Sequence, residues 1–350
     1  MESYIFWNNK GGTGKTSLAF QSICSHAYNN DEEKVLVIDL CPQANLSELL
    51  LGGLVGNGGD NLSKIHGSNP QKMPSGQPLR VSIGGYFQER LPSPYTVPAL
   101  NFEDFLCQPS QYNEDVPENI MLLPGDALVE LQSNVINTLA NTQIPTTNTW
   151  LKVIDWVRDY ISLTGDEFDY VFIDANPSFS IYTQIALAAV DRVILPVMAD
   201  DSSRRAIENA FALIHGINLP SPIYQQYNFA AQLMAAGRTP PKFHVIAKNR
   251  LTQYMGAASA YQAVLVSIDS MIHNLMQKNP DVFTFTNLRD GVAEIRDFQT
   301  TGVIAFAFGM PFYQMSAGRY KLPGRSSKVV IRDDYLRNCR IAMRSLTSKL

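Results

Sequence analysis

The chain has 350 residues, 45% of them hydrophobic and 17% charged, with a formal net charge of -4. This is the composition of an ordinary globular protein able to bury a sizeable core, and its near-neutral balance means that any basic surface has to be local. Cys24, Cys41, Cys107 and Cys339 show no paired spacing and the five histidines are scattered, so zinc, iron-sulfur and disulfide frameworks are unsupported and a reducing, cytoplasmic setting is expected. No apolar run approaches the ~20 residues of a membrane-spanning helix, and Glu2 stands where an export signal carries basic residues.

In chain order, Tyr4-Ile5-Phe6-Trp7 reads as a buried strand running into the glycine-rich string Lys10–Thr16, KGGTGKT, with a helix over Ser17–Tyr28 behind it. Val35–Ile38 is a second strand, closed by Asp39. Seven glycines and three prolines between Gly52 and Leu79 predict a surface loop within an insertion spanning about 52–100. Strands are expected at Ile120–Leu123, Tyr170–Ile173, Val193–Val197, His244–Ala247 and Val303–Phe308. Helical faces are carried by Trp150, Val153, Ile154, Val157 and Ile161 and by Ile207, Ala210, Phe211 and Ile214. Asn137–Thr149 reads as a loop, and prolines bracket a helix over Ile223–Ala236 within a second insertion at about 218–241. Strands alternating with helices predict an α/β fold, a doubly wound, mostly parallel sheet flanked by helices. Length alone allows one domain with insertions or about two domains, and the expected organisation is a single domain over 1–350 with the two insertions and a basic C-terminal helical segment at about 319–350.

The KGGTGKT string is the most informative feature. A strand, a glycine-rich turn and a helix N-terminus surround an anion with backbone N–H groups. Gly11, Gly12 and Gly14 allow the close approach, Lys15 supplies a point charge for the β- and γ-phosphates, and the Thr16 hydroxyl suits Mg²⁺. In doubly wound sheets ligands sit at the carboxyl ends of strands, which points to Asp39 and Asp174, the residues closing Val35–Ile38 and Tyr170–Ile173. A carboxylate there can hold Mg²⁺ through water. ATP and Mg²⁺ are therefore the expected cofactors.

The P-loop pattern asks for a glycine four residues before the Gly14-Lys15 pair, and this chain has Asn9 followed by Lys10. The string thus resembles the deviant Walker A motif of the ParA/MinD family of P-loop ATPases, closest to the ParA-like plasmid and chromosome partition members. The resemblance implies a homodimer when ATP is bound, with Lys10 reaching the partner's nucleotide, and a phosphate-binding set of Lys10, Gly11, Gly12, Thr13, Gly14, Lys15, Thr16 and Ser17. Catalytic roles fall to Lys10, Lys15, Asp39 and Asp174, and metal roles to Thr16, Asp39 and Asp174. Val35–Ser47 is similar to the family's switch I, with Asp39, Pro42, Gln43 and Asn45 matching, but Cys41 replaces the aspartate that positions the attacking water. Either Asp39, Asp200 or Asp201 assists, or hydrolysis is very slow and the ATP-bound dimer long-lived. Phe168–Asp200 resembles the Walker B and switch II region, through Asp174, Pro177 and Ser178. Val245–Leu251 resembles the strand whose terminal asparagine reads adenine, which makes Asn249 the base contact, or else a turn residue. Asn287–Gly302 is similar to a late segment near the nucleotide's second edge. The resemblance runs in order over residues 3–50 and 118–310.

The partition branch binds non-specific DNA as ATP dimers and is stimulated by a ParB-like partner, which implies a nucleoid-associated protein. Residues 319–350 hold nine cations, Arg319, Lys321, Arg325, Lys328, Arg332, Arg337, Arg340, Arg344 and Lys349, against Asp333 and Asp334. The segment carries +7 while the other 318 residues carry -11, a contrast suited to phosphate backbones. Tyr335, Cys339, Ala342, Met343 and Leu346 are expected to line one side of a last helix. Such a helix attaches the MinD branch to anionic membranes, but this stripe lacks the Phe, Trp and multiple Leu residues of a membrane surface helix, so core packing is the expected role.

Overall fold

The computed structural model describes residues 1–71, 78–198, 200–251, 258–324 and 327–350; the side chains of Asp201 and of 258–261 also lie outside the description. Seven parallel strands form the main sheet: β1 (Glu2–Phe6), β2 (Val35–Leu40), β3 (Ile120–Leu123), β4 (Tyr170–Ala175), β5 (Arg192–Met198), β6 (Lys242–Leu251) and β7 (Val292–Arg296), in the order β3-β2-β4-β1-β5-β6-β7. A short antiparallel ribbon pairs β8 (Gly318–Tyr320) with β9 (Val329–Ile331). The helices are α1 (Lys15–Asn29), α2 (Asn45–Leu50), α3 (Gly58–His66), α4 (Ile83–Arg90), α5 (Leu128–Asn141), α6 (Thr149–Ile154), α7 (Trp156–Leu163), α8 (Ile181–Ala188), α9 (Asp201–His215), α10 (Phe229–Ala235), α11 (Ala258–Lys278), α12 (Leu288–Gly291), α13 (Gln299–Phe308) and α14 (Asp333–Thr347). This is the doubly wound α/β sheet that the alternation of strands and helices predicts.

The continuous apolar runs follow from covering both faces of the sheet. Along β1, Ile5 and Trp7 point into a core shared with Tyr86, Trp156, Tyr160 and Phe211, while Tyr4 and Phe6 point into one shared with Leu18, Phe20, Ile304 and Met343. Burial on the first face also encloses Arg90, 1% exposed, whose guanidinium meets Asp159 at 2.8 Å, bonds Tyr86 and lies 5.3 Å from the Trp156 ring.

Several sequence expectations change. Val303–Phe308 is not a strand but the second half of α13, in which Ile304 and Ala305 are buried while Val303 and Phe306 are 55% and 45% exposed. A six-residue apolar run has no visible period, and the strand in this region is instead β7. Between Gly52 and Leu79 the glycines do not make an open loop. Residues 51–57 form a compact turn followed by α3, and Val55 N donates to the Ala307 carbonyl at 2.8 Å. A Cβ on Gly53 would lie 2.5 Å from Gly309 N, and one on Gly58 2.1 Å from Glu48 O, so these glycines permit backbone-on-backbone packing. Residues 72–77 of that insertion lie outside the described residues. Asn137–Asn141 and Thr149, expected in a loop, belong to α5 and α6, and the single helix expected over Trp150–Ile161 breaks at Asp155. In the second insertion the expected helix is a 3-10 turn at Pro222–Gln225 followed by α10. Along α14 the buried stripe is Leu336, Cys339, Ala342, Met343 and Leu346, with Tyr335 40% exposed.

Gly309 ends α13 at φ +59°, and a Cβ there would stand 2.5 Å from Leu49 O and 2.6 Å from Gly53 N. Gly309→Ala is expected to cost roughly 2–4 kcal/mol in urea unfolding, through left-handed strain and displacement of the glycine turn.

Candidate functional site

β1 delivers the chain into the loop that precedes α1. Asn8 fixes the loop's course: its amide donates to the Pro196 carbonyl at 2.7 Å and its Oδ1 accepts from Lys10 N at 2.9 Å. Trp7 Nε1 donates to Ser178 O at 3.1 Å, joining the loop to the segment after β4. Gly12 and Gly14 adopt φ of +75° and +80°, the left-handed region that glycine enters without a Cβ clash. Around Gly11 and Gly12 nothing lies within 4 Å of a built Cβ, which makes this the open side of the cradle.

Lys15, Thr16 and Asp174 converge there. Thr16 Oγ1 donates to Asp174 Oδ2 at 2.8 Å. Lys15 Nζ stands 3.8 Å from Asp174 Oδ1, and the two side chains are 9% and 0% exposed. Asp174 Oδ1 and Thr13 Oγ1 are buried with no hydrogen-bond partner. An unpartnered buried polar atom costs about 1–3 kcal/mol, so these two are available to a ligand rather than to the fold. A cation, a hydroxyl and a free carboxylate oxygen beside a helix N-terminus fit a triphosphate with Mg²⁺. Among the described residues no three His, Cys, Asp or Glu side chains form a metal centre of their own. That suits Mg²⁺, which keeps water and phosphate oxygens in its shell.

Asp39 lies beside Asp174 in the β2–β4 register and is fully buried. Its Oδ1 accepts from Cys41 N at 3.1 Å, and its Oδ2 accepts from Ser47 N at 2.8 Å and Ser47 Oγ at 2.7 Å. Burial, then the Asp174 charge, push its carboxyl above the usual carboxylate range against the pull of the Ser47 and Cys41 bonds. Burial also raises Asp174, opposed by Lys15 and Thr16. Asp39 thus fastens the 41–47 loop to the end of β2 through both of its carboxylate oxygens. Cys41 is 4% exposed, and burial followed by the charges of Asp39 and Asp174 pushes its thiol up to about 12, so it stays protonated.

Lys10 is held within its own chain. Its Nζ lies 2.8 and 2.6 Å from the two Asp200 oxygens, 2.5 Å from Ser202 Oγ and 3.4 Å from Ser203 Oγ. Asp200 also caps α9, accepting from Ser203 N at 2.8 Å. Against the upward push of partial burial, the bonds from Lys10, Ser203 and Ser202 hold it down at about 2. Asp200 is thus engaged by Lys10, and Asp201's side chain lies outside the description.

A cavity of about 540 Å³ opens beside the P-loop, lined by Gly14, Ser17, Phe20, Asn249, Phe298 and Phe312 among others. Asn249 reaches it through a register shift between Lys248 and Leu251, next to which Arg250 takes φ +57°. Its Nδ2 donates to the Thr13 carbonyl at 2.8 Å and packs where a Cβ on Gly14 would fall. The residue thus joins β6 to the P-loop while lining the cavity. Sequence reading missed Phe20, Phe298 and Phe312, which look like core residues, and Ser47, although it closes the Val35–Ser47 stretch. It also missed what stands behind Ser47. Ser47 Oγ accepts from Gly125 N at 2.9 Å, His66 Nε2 lies 3.0 Å from Gly125 O, and Arg80 joins His66 Nδ1 at 2.8 Å to the Asp126 carboxylate.

The C-terminal cations divide. Arg332 and Arg337 pair with Asp334 and Asp333, Arg340 donates to the Phe312 and Met315 carbonyls, and Lys349 donates to the Arg289 and Asp290 carbonyls. Arg319, Lys321, Lys328 and Arg344 are exposed with no ion pair among the described residues, and Arg325 lies outside them.

The chain was compared with known proteins. A family model described as an AAA domain matches residues 1–222. Apo McdA of Cyanothece superposes with a TM-score of 0.60 at 12% identity, over 99% of each chain. The ParA of pNOB8 gives 0.54 at 14% identity, over 99% of this chain and 98% of that one. A Borrelia burgdorferi B31 plasmid partition protein bound to AMPPNP gives 0.52 at 14% identity, over 100% of this chain and 99% of that one. At such identities these structures speak for the fold. No curated protein matches the chain. With the family model covering more than half of the sequence and the P-loop geometry in place, this chain belongs to the AAA-domain family of ParA/MinD-type P-loop ATPases.

Proposed function

We propose that the chain is an ATP-driven partition switch: it binds ATP and Mg²⁺, forms a homodimer through Lys10, engages non-specific DNA through its basic C-terminal region and is reset by slow hydrolysis that a ParB-like partner protein stimulates. The setting proposed for it is the cytoplasm, on the nucleoid. The observation that carries this reading is the meeting of Lys15, Thr16 and the unpartnered Asp174 oxygen beneath a glycine cradle whose rim bears Lys10. ATP supplies the phosphoanhydride whose cleavage resets the switch, with Mg²⁺ neutralising its charge. Lys15 holds the phosphates, Thr16 and Asp174 orient the metal's shell, and Asp39 keeps the 41–47 loop folded against them. Asn249 and the Phe20, Phe298 and Phe312 rings offer a slot for the base. Lys10 has to leave Asp200, Ser202 and Ser203 before it can serve a partner's nucleotide.

Cys41 favours a second reading, ATP binding with negligible turnover, since a protonated thiol neither orients nor deprotonates water as a carboxylate does. Membrane attachment is less well supported, because the apolar stripe of α14 is spent on the core.

Light scattering with ADP, ATP and a slowly hydrolysed analogue tests the switch. The wild type is expected to dimerise with ATP and the analogue alone. Lys15→Ala is expected to lose nucleotide binding, and Lys10→Ala to bind nucleotide yet stay monomeric; dimerisation of Lys10→Ala at wild-type ATP levels rejects the bridging role.

Cys41→Asp is expected to raise basal ATPase activity by roughly tenfold to a hundredfold. It should also lower the melting temperature, because it adds a third carboxylate beside Asp39 and Asp174. An unchanged rate means that hydrolysis uses other groups.

A further inference from the structure

The sequence assigns the basic surface to the whole segment 319–350, whereas among its described cations those exposed without an ion pair are Arg319, Lys321 and Lys328, on or beside the β8–β9 ribbon, and Arg344 on α14. In the register Gly318↔Ile331, Arg319↔Val330 and Tyr320↔Val329, residues 319 and 330 share one face, and Lys321 and Lys328 flank the ladder at the residues just beyond its last pair. Exposure follows the alternation: Arg319, Lys321, Lys328 and Val330 are exposed while Ile331, on the other face, is 2% exposed. Residues 298–332 supply no Asp or Glu of their own, and the acids that share a depression with the ribbon's turn are Glu48 and Asp60.

The ribbon is not a loose tail. Ile331 and Leu322 are buried in the core that also holds Ile304 and Leu336. Leu322 and Pro323, at the ribbon's turn, line a depression of about 630 Å³ shared with Asn45 and Glu48 of α2, the helix that follows the Cys41–Ala44 loop. A cationic surface thus abuts the segment that Asp39 and Ser47 fasten to the nucleotide side.

We propose that the outward face of the β8–β9 ribbon, through Arg319, Lys321 and Lys328, is the element that grips the phosphate backbone of duplex DNA, a refinement that rests on the DNA-binding reading above. Duplex DNA fits better than an anionic bilayer, since the only large apolar side chain exposed on this face among the described residues is Val330, and interfacial anchoring needs an aromatic or leucine-rich face. Two-stranded ribbons are of a size that enters the major groove, and backbone contacts need no base reading.

The test uses the full-length protein with ATP and a random-sequence duplex across a salt series. The Arg319→Ala/Lys321→Ala/Lys328→Ala variant is expected to keep ATP-dependent dimerisation by light scattering, to bind duplex at least tenfold more weakly, and to have a log K against log salt slope shallower by about 2.7. The charge-keeping Arg319→Lys/Lys321→Arg/Lys328→Arg variant is expected to bind as the wild type does. A wild-type slope in the alanine variant overturns the proposal and leaves DNA binding to other residues; so does loss of binding in Arg344→Ala instead. Wild type that dimerises with ATP yet fails to bind duplex overturns this proposal together with the DNA reading, leaving the nucleotide switch standing. Ribbon-dependent binding to phosphatidylglycerol vesicles without duplex binding assigns the surface to membranes and overturns it as well.

Discussion

Two carboxylates buried side by side at the ends of neighbouring strands are the constraint around which the nucleotide side is arranged. Parallel pairing of β2 with β4 puts Asp39 next to Asp174, and burial followed by the Asp174 charge opposes ionisation of Asp39. The structure answers with unequal compensation. Asp174 receives a cation and a hydroxyl from α1, whereas Asp39 receives only a backbone N–H from Cys41 and two bonds from Ser47. Asp174 Oδ1 keeps an ion-pair contact with Lys15 but no hydrogen bond, whereas both oxygens of Asp39 are hydrogen-bonded to the loop after β2. Identical side chains at equivalent strand ends acquire different hydrogen-bonding and charge environments from their surroundings alone.

That hydrogen bonding extends into the first insertion. Ser47 leans on Gly125, Gly125 on His66, and His66 on Arg80 and Asp126. Gly125 has to be glycine because a Cβ would lie within 2.9 Å of both Ala44 Cα and Asp39 Cγ. The inserted helices are thus tied by polar contacts to the loop after β2. The second insertion meets the opposite flank through rings, with Phe229 on Phe179 at 5.9 Å and Phe179 on Trp7 at 5.8 Å. Both additions to the sheet end on segments that border the P-loop.

The sheet and the P-loop were legible because their signals are local: apolar runs, glycines at fixed offsets, and a lysine-threonine pair behind them. Asp39 and Asp174 were legible as strand-end residues, but the difference between their environments was not, because it depends on Ser47 and on Lys15, eight residues from the one and 159 from the other. The Val303–Phe308 run misled because six apolar residues carry no period, and the helix is fixed by packing against α2 and the glycine turn. The glycines at 52–59 misled for a related reason: glycine marks both open loops and the tightest backbone contacts, and only the neighbouring Glu48 and Gly309 decide which. The C-terminal charge was visible as a sum, whereas its partition between satisfied and unsatisfied cations required the carbonyls of Phe312, Met315 and Arg289 to be in place.

The arrangement around Lys10 has a consequence for selectivity. An ammonium already seated among a carboxylate and two hydroxyls has little to gain from a passing sulfate, free phosphate or acidic side chain, because any newcomer replaces bonds of similar quality. Only a polyanion presented at fixed geometry, with several oxygens in reach at once, offers more than the home seat. A residue that looks from its sequence position like a promiscuous positive charge is thereby made indifferent to most of the anions it meets.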